Sequence, residues 1–264
     1  MSKRKPTNPA PPSDPALNEI VRLAEELDLT ALADAWPALL ADAERLGQSY
    51  TDFASAALHT EWTRRRERKL TRGLKRSHLG TIDGLDGFDF SARSQLEPRV
   101  VKELLNCRFV QEHRNVLCLG KPGLGKTRVA KAILHAACLA GYSVLSVLTA
   151  EMIEELHASQ ADGTSKRAFR RYVKPAVLLL DEFGYQPFSS EATNYLFRVV
   201  SARHRQASTV LTANTGFSNW KNLFPSEATA VATADRLVDG ATILRFTGKS
   251  FRKPREIVGA PLED

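Results

Sequence analysis

The sequence has no long apolar run and few cysteines. None of its apolar stretches approaches the ~20 residues that a helix needs to cross a bilayer, which excludes a helical membrane protein. The amino terminus is basic, but prolines follow where a signal peptide would need an apolar core. Its three cysteines, Cys107, Cys118 and Cys138, are odd in number, widely spaced and set among apolar residues. We therefore expect reduced thiols in a cytosol rather than a disulfide or zinc framework.

Acidic residues are almost missing from one segment, residues 62–78, which holds eight Lys or Arg and one Asp or Glu. Residues 1–61 have the opposite balance, with ten acidic and five basic side chains. The whole chain carries a formal charge of +7, so these seventeen residues contribute as much net charge as the entire chain. A basic segment of this density predicts a polyanionic partner.

The chain of 264 residues has the composition of a globular protein, with 43% apolar and 25% charged residues. Residues 1–15 contain five prolines and few large apolar side chains, so we expect a disordered tail there. Apolar residues at helical spacing then predict a small all-helical domain over residues 16–78. A linker with three glycines is expected at residues 79–92, followed by a larger domain over residues 93–264.

The larger domain alternates short apolar runs with helical periods, which is typical of an α/β fold with a largely parallel sheet covered on both faces. Strands are predicted at residues 116–119, 143–148, 176–180, 209–211 and 241–246. Helices are predicted near residues 126–139, 150–159, 189–204 and 227–238.

A phosphate-binding loop is the strongest motif in the sequence. Residues 120–127 read GKPGLGKT, a G-x-x-x-x-G-K-T pattern between a predicted strand and a predicted helix. Such a loop wraps phosphates with its backbone N–H groups, while Lys126 reaches the β- and γ-phosphates and the Thr127 hydroxyl ligates Mg²⁺. The sequence therefore predicts binding of ATP with Mg²⁺. The candidate nucleotide-binding residues are Gly120, Pro122, Gly123, Leu124, Gly125, Lys126, Thr127 and Arg128.

Two adjacent carboxylates, Asp181 and Glu182, end a predicted buried strand about fifty-five residues after this loop. At the carboxyl edge of a parallel sheet, Asp181 is expected to hold Mg²⁺ and Glu182 to orient and polarise the attacking water. A carboxylate that activates water favours an ATPase over a small-molecule kinase, because a kinase transfers the phosphate to an acceptor other than water. The activity of such a kinase would also be unaffected by DNA. The presence of all these residues together with Lys126 and Thr127 also disfavours a DNA-binding module with a vestigial ATPase.

The motifs together resemble the IstB-type helper ATPases of bacterial insertion sequences, a family of AAA+ ATPases close to the DnaC-type helicase loaders. The resemblance extends over residues 27–252 and depends on the phosphate-binding loop and on the segments LLLDEFGY, TVLTAN and ADRLVDGATILRFTGKSFR. It implies a helical N-terminal domain and an AAA+ domain with a five-stranded parallel sheet.

The same resemblance implies an activity. It points to a DNA-binding, Mg²⁺-dependent ATPase in the bacterial cytoplasm, associated with the nucleoid and stimulated by DNA and by oligomerisation. The partners it implies are double-stranded DNA, a transposase and further copies of the chain, with ATP at the subunit interfaces. A DnaC-like helicase loader in DNA replication remains the alternative, because it shares the fold and the motifs and differs mainly in its partner.

Three further residues receive roles by matching family positions. Asn214 matches the sensor that holds the lytic water, although Asn-Thr-Gly is also an ordinary turn and the family often has Thr-Ser-Asn here. Arg236 matches the arginine finger that reaches a neighbour's nucleotide, and the alternative is a surface pair with an adjacent aspartate. Arg252 matches a family Tyr-Arg that contacts nucleotide or DNA. Phe109, by its distance ahead of the loop, is either near the adenine or in the core.

The basic segment predicts sequence-independent contact with DNA phosphates, and the alternative is a solvated helix face. Its candidate residues are Arg64, Arg65, Arg68, Lys69, Arg72, Lys75 and Arg76, with Arg66 alongside. A second basic group, which could face a central DNA channel, comprises Lys166, Arg167, Arg170 and Arg171.

Overall fold

The computed structural model describes residues 15–82, 84–92, 95–248 and 250. The predicted disordered tail lies outside these residues, apart from Pro15, and so does Arg252. The chain divides into two compact units, Met1–Thr71 and Arg72–Asp264.

The first unit is helical, as its apolar spacing predicts. Its helices are α1 (Pro15–Glu26), α2 (Thr30–Leu46) and α3 (Tyr50–Arg76), the last of which continues into the second unit. Pro37 lies inside α2, although a proline cannot donate the backbone hydrogen bond of a helix interior. Helix α2 nevertheless begins at Thr30, so the proline does not delay its start.

A buried carboxylate of α3 joins the helices of this unit. Glu61 accepts hydrogen bonds from the Leu32 amide at 3.0 Å and from Arg65 Nε at 2.7 Å. Burial alone would raise the pKa of Glu61, but the hydrogen bonds from Arg65 and Leu32 hold it below its usual range. Because Leu32 lies in the first turn of α2, the carboxylate satisfies a helix N-terminus that has no side-chain cap of its own.

The second unit is built on a five-stranded sheet in the order β2-β3-β4-β1-β5, and every neighbouring pair is parallel. The strands are β1 (Val116–Gly120), β2 (Val144–Leu148), β3 (Val177–Phe183), β4 (Ser208–Ala213) and β5 (Thr242–Phe246). The first four are almost wholly buried, which explains why they read as continuous apolar runs rather than alternating patterns. The predicted five-stranded parallel sheet is confirmed.

Seven helices and a 3-10 helix of the described residues surround the sheet. They are α4 (Pro98–Leu105), α5 (Arg108–Gln111), α6 (Lys126–Leu139), α7 (Thr149–Ala161), α8 (Ser165–Val173), α9 (Ser190–Arg203), the 3-10 helix (Phe217–Asn222) and α10 (Glu227–Val238). The sequence did not predict α4, α5, α8 or the 3-10 helix, which span only four to nine residues and so are shorter than the window in which a helical period is recognised. In the part of the chain that the structure describes, no helix combines the length and apolar character needed for a bilayer crossing.

The sheet is covered on both faces. Helix α6 contacts β1 through β4, while one apolar cluster joins the opposite face to residues of α7, α8, α9 and α10. Alternation along the strands assigns Leu117 and Leu178 to that cluster and turns Cys118 and Leu179 toward α6. The carboxyl ends of β1, β3 and β4 therefore meet beside the amino terminus of α6, which is where the motifs fall.

The opposite, amino-terminal edge holds Phe109. This residue is buried in α5, and its carbonyl accepts a hydrogen bond from Ser208 Oγ at 3.1 Å, at the first residue of β4. Phe109 therefore lies in the core, which is one of the two placements that the sequence leaves open.

Candidate functional site

The phosphate-binding loop needs two glycines for its shape. A Cβ at Gly120, where φ is 154°, would lie 2.2 Å from the Phe246 carbonyl oxygen on the neighbouring strand, so only glycine fits. Gly125 has φ 87° and directly precedes α6, a backbone conformation that other residues rarely adopt. The loop thus turns sharply from β1 into the positive end of a helix, which is an anion-binding arrangement.

Lys126 connects this loop to the end of β4. Its Nζ donates to the Lys121 carbonyl at 2.8 Å and to Asn214 Oδ1 at 2.9 Å. The lysine is only 6% exposed, so its charge is held within the site by oxygen atoms of the protein. The structure therefore brings together the predicted phosphate-binding lysine and the predicted sensor.

The two predicted metal ligands are also neighbours. Thr127 Oγ1 donates to Asp181 Oδ1 at 3.0 Å, and Thr149 Oγ1 donates to the Asp181 backbone carbonyl at 2.9 Å. A hydroxyl and a carboxylate this close are the hard oxygen donors that Mg²⁺ takes alongside phosphate and water oxygens. The residues present fit a magnesium ion that accompanies a nucleotide.

The cysteines take no part in this chemistry. All three are buried and unpaired, as the sequence predicts. Cys118 lies beneath the site, where burial and the negative charge of Asp181 raise the pKa of its thiol to about 12. The thiol is therefore protonated at neutral pH and is a poor nucleophile.

Glu182 leaves β3 at a β-bulge. Leu180 pairs with Leu211 and Phe183 pairs with Ala213, so two residues of β3 oppose the single residue between those partners. Glu182 has φ 54°, a left-handed conformation that is rare for residues other than glycine, and its side chain is exposed. The bulge separates the exposed carboxylate from the buried Asp181 beside it.

Thr212 is the residue that the sequence interpretation missed. Its hydroxyl donates a hydrogen bond to Asp181 Oδ1 and accepts one from the Glu182 backbone N–H at 3.0 Å. The signal for it was its position two residues before Asn214, because strand alternation turns both residues to one face. Sequence alone does not distinguish this threonine from a packing residue.

Arg128, a candidate nucleotide-binding residue, has protein partners. Its guanidinium donates to the Gly84 carbonyl at 2.9 and 2.7 Å and to the Asp86 carbonyl at 2.8 Å. Its Cζ also lies 5.8 Å from the centroid of the Phe88 ring. The residue thus attaches the predicted linker to the first turn of α6.

Arg236 lies on α10, away from this cluster. Its Nη1 donates to the Ala232 carbonyl at 2.8 Å, and its Cζ lies 4.7 Å from the centroid of the Phe197 ring. Its own carbonyl accepts from Asn115 Nδ2 at 3.3 Å, and Asn115 directly precedes β1. The phosphate-binding loop follows the other end of that five-residue strand, about 17 Å away.

The basic residues of α3 differ in their partners. Arg65 donates to the Asp28 carbonyl at 2.9 Å, and Arg68 donates to Thr30 Oγ1 at 2.9 Å, so both hold the α1–α2 turn. Arg64 approaches Glu67 at 3.7 Å. All seven candidate DNA-binding residues are nevertheless exposed.

Three residues of the second basic group line a cavity of about 1040 Å³ in the second unit. Its basic lining residues are Arg76, Arg167, Arg170, Arg171 and Lys174, whereas Lys166 is exposed on α8 outside the lining. The acidic side chains of the lining are Glu155 and Asp162, and Glu155 already accepts hydrogen bonds from Arg171 and Tyr172 at 2.5 Å each. The cavity therefore keeps a positive wall.

The comparisons with known proteins agree with this architecture. The family model for the IstB-like ATP binding protein matches residues 22–257. The chain is 33% identical over 236 residues to an insertion sequence IS21 putative ATP-binding protein of Pseudomonas aeruginosa, covering 89% of each chain. It is 31% identical over 226 residues to an insertion sequence IS5376 putative ATP-binding protein of Geobacillus stearothermophilus, covering 86% of this chain and 90% of that one.

The fold also resembles solved structures. The AMPPCP-bound DnaA of Aquifex aeolicus superposes with a TM-score of 0.54 at 18% identity, covering 64% of this chain and 51% of that chain. This likeness identifies the fold as that of an AAA+ P-loop ATPase. With the family match over most of its length, the chain belongs to the IstB-like ATP-binding protein family.

Proposed function

We propose that this chain is an ATP-hydrolysing, DNA-binding regulator that oligomerises on duplex DNA and assists a transposase in insertion-sequence transposition. The observation that carries the proposal is the network at the carboxyl edge of the sheet. There Lys126 bonds to Asn214 and Thr127 bonds to Asp181, with Glu182 exposed beside them. This arrangement provides phosphate binding, metal ligation and a carboxylate for water in one place.

The roles of the residues follow from their chemistry. Lys126 and the N-terminus of α6 bind the phosphates and offset their charge. Thr127 and Asp181 would hold Mg²⁺, which neutralises phosphate charge when it is bound. Glu182 accepts a proton from the attacking water and orients it, while Asn214 holds that water near the γ-phosphate.

Duplex DNA is the proposed polyanion. The basic side chains lie on the exposed face of α3 and on the positive wall of the cavity beside α8. We expect them to contact phosphates rather than base edges. Binding should therefore be insensitive to sequence and strongly weakened by salt.

Transposition is favoured over helicase loading by the relatives. Both curated relatives described above carry insertion-sequence names and match nearly the full chain, whereas the DnaA likeness is one of fold. The proposed activity belongs to the bacterial cytoplasm, where ATP and the nucleoid are both present. We expect a transposase gene immediately beside this one, and a replicative helicase gene there would favour the loader instead.

One experiment tests the nucleotide and DNA steps together. The wild type, Lys126→Ala and Glu182→Gln are sized with ATP and duplex DNA, and phosphate release is measured in the same samples. Lys126→Ala should lose ATP binding, because the phosphate charge is no longer offset. Glu182→Gln should bind ATP and assemble but release phosphate at least ~100-fold more slowly, since the water is not activated.

A non-hydrolysable ATP analogue provides the control, because it should assemble the wild type on DNA without turnover. Equal ATP affinity in Lys126→Ala and the wild type would contradict the phosphate-binding assignment. Hydrolysis by a monomer that duplex DNA does not affect would point to a small-molecule kinase-like enzyme.

A further inference from the structure

We propose that Thr212 is a positioning residue for ATP hydrolysis. Its hydroxyl joins the Asp181 carboxylate to the Glu182 amide and so fixes the direction in which the Glu182 side chain leaves β3. The inference deepens the proposed function and rests on it, because it assigns Glu182 the water-activating role.

The bulge creates the need for this hydroxyl. Where Asp181 and Glu182 together oppose Thr212, the regular ladder of backbone hydrogen bonds is interrupted. The Glu182 backbone N–H instead donates a hydrogen bond to Thr212 Oγ1 at 3.0 Å. Because Glu182 has φ 54°, its backbone occupies a sparsely populated conformation that needs such support to persist.

The same hydroxyl orients the magnesium ligand. Its proton is donated to Asp181 Oδ1, the oxygen that also accepts from Thr127 Oγ1. A hydroxyl can donate one hydrogen bond and still accept another, which is what this position requires. Thr212 is 1% exposed and so is shielded from water that could replace either bond.

Valine has the shape of threonine without the hydroxyl, and serine keeps the hydroxyl. Thr212→Val should therefore lower kcat at least tenfold and change the Kd of a non-hydrolysable ATP analogue less than threefold. Thr212→Ser should stay within threefold of the wild type in both measurements. Thr193→Val is the matched control, because Thr193 is a buried threonine of α9 whose Oγ1 has no hydrogen-bond partner among the described residues.

A second readout needs neither nucleotide nor turnover. In the nucleotide-free protein, amide hydrogen exchange at Glu182, followed by NMR, should be at least tenfold faster in Thr212→Val than in the wild type or Thr212→Ser. If Thr212→Val does not fold, Thr212→Ala compared with Thr212→Ser isolates the hydroxyl in the same way.

Each outcome decides the proposal. A kcat in Thr212→Val within threefold of the wild type, or equal impairment of the serine variant, overturns it. An unchanged rate of hydrogen exchange at the Glu182 amide in Thr212→Val overturns it as well. If the wild type itself hydrolyses no ATP, the proposed function fails, and the amide measurement still tests whether Thr212 holds Glu182.

Discussion

At the scale of single residues, Arg203 shows how an isolated cation can stabilise this fold. It ends α9 with 1% exposure, and within the described part of the chain its guanidinium donates only to uncharged oxygens. These belong to the carbonyls of Tyr172, Val173, Pro175 and Ser208 and to the hydroxyl of Thr209. Burial lowers the pKa of Arg203 to about 9, so the group remains charged at neutral pH. A cation is well suited here because three of these carbonyls lie at or just beyond the C-terminus of α8.

Arg203→Met should lower the free energy of unfolding by at least about 3 kcal/mol, because buried carbonyl groups would lose their donors. Urea denaturation followed by circular dichroism measures the change. Arg203→Lys should recover only part of the loss, since an ammonium has three donors and a different geometry.

Arg198→Met is the matched control, since Arg198 lies on the same helix but is exposed, with its Cζ 5.2 Å from the centroid of the Phe169 ring. We expect it to change the free energy of unfolding by no more than about 1 kcal/mol. Similar losses in Arg203→Met and Arg198→Met would show that burial of Arg203 contributes little.

Single residues also show what sequence can and cannot predict. Lys126 and Thr127 were predictable because their loop lies between a strand and a helix, and Asp181 was predictable because it follows the buried apolar run of a strand. Arg203 could have been placed inside, since it follows Val199 and Val200 at helical spacing, but its charge argued for the surface. Its oxygen partners come from segments distant in the sequence, which local spacing does not reveal.

At the scale of elements, α3 and α8 concentrate the positive charge. Arg65 and Arg68 of α3 hold the α1–α2 turn. Substituting them would destabilise this unit, so a loss of DNA binding would not report on phosphate contacts alone. Arg64, Lys69 and Lys75 are exposed on the same helix and are better targets. On α8 and just beyond it, Arg167, Arg170 and Lys174 line the basic cavity.

Replacing Arg64, Lys69 and Lys75 with Gln should weaken duplex binding similarly for unrelated sequences, because phosphates carry no sequence information. The plot of log affinity against log salt should become shallower by about 0.9 for each phosphate contact removed. The same change at Arg167, Arg170 and Lys174 tests the cavity wall separately. Fluorescence anisotropy over a salt series gives both slopes.

The matched control replaces Arg22, Arg45 and Arg108 with Gln, because it removes the same charge from exposed side chains outside α3 and α8. Its salt slope should equal that of the wild type. If neither basic set changes the slope, both are solvated faces and the polyanion binds elsewhere.

Elements differ in how far sequence could predict them. The bounds of α6 and α10 agree with the predicted ranges because each has a clear start, directly after the phosphate-binding loop for α6 and at the Ser226 N-cap for α10. Strand β3 extends to Phe183, three residues beyond the predicted end, because the bulge carries pairing past the polar Asp-Glu pair. Helix α8 escaped prediction because it is only nine residues long and most of them are charged or polar.

At the scale of the whole molecule, the proposed oligomer gives Arg236 a role in a neighbouring subunit's active site. Its backbone lies at the amino-terminal edge of β1, and its own phosphate-binding loop lies at the carboxyl edge. An arginine at that edge is unsuited to its own nucleotide and could reach one bound by a neighbour in a head-to-tail assembly. Hydrolysis would then depend on assembly, and specific activity should rise with protein concentration.

Mixing two inactive variants tests this arrangement. Arg236→Ala should bind ATP normally but hydrolyse it at least about 100-fold more slowly, since the arginine stabilises charge in the transition state. Lys126→Ala has no working pocket but keeps Arg236. If the two mix at random at head-to-tail interfaces, about a quarter of the interfaces join an intact pocket to an intact arginine. Phosphate release by the mixture should therefore recover to about a quarter of the wild-type rate.

The control mixture combines Arg236→Ala with the double variant Lys126→Ala/Arg236→Ala, in which intact pockets are present but every subunit lacks the arginine. This mixture should show no recovery, although its subunits assemble in the same way. A surface ion pair at Arg236 would contribute at most about 1 kcal/mol of stability and would give no recovery in either mixture. If the first mixture is only as active as the sum of its parts while both variants co-assemble, Arg236 does not act on a neighbour's nucleotide.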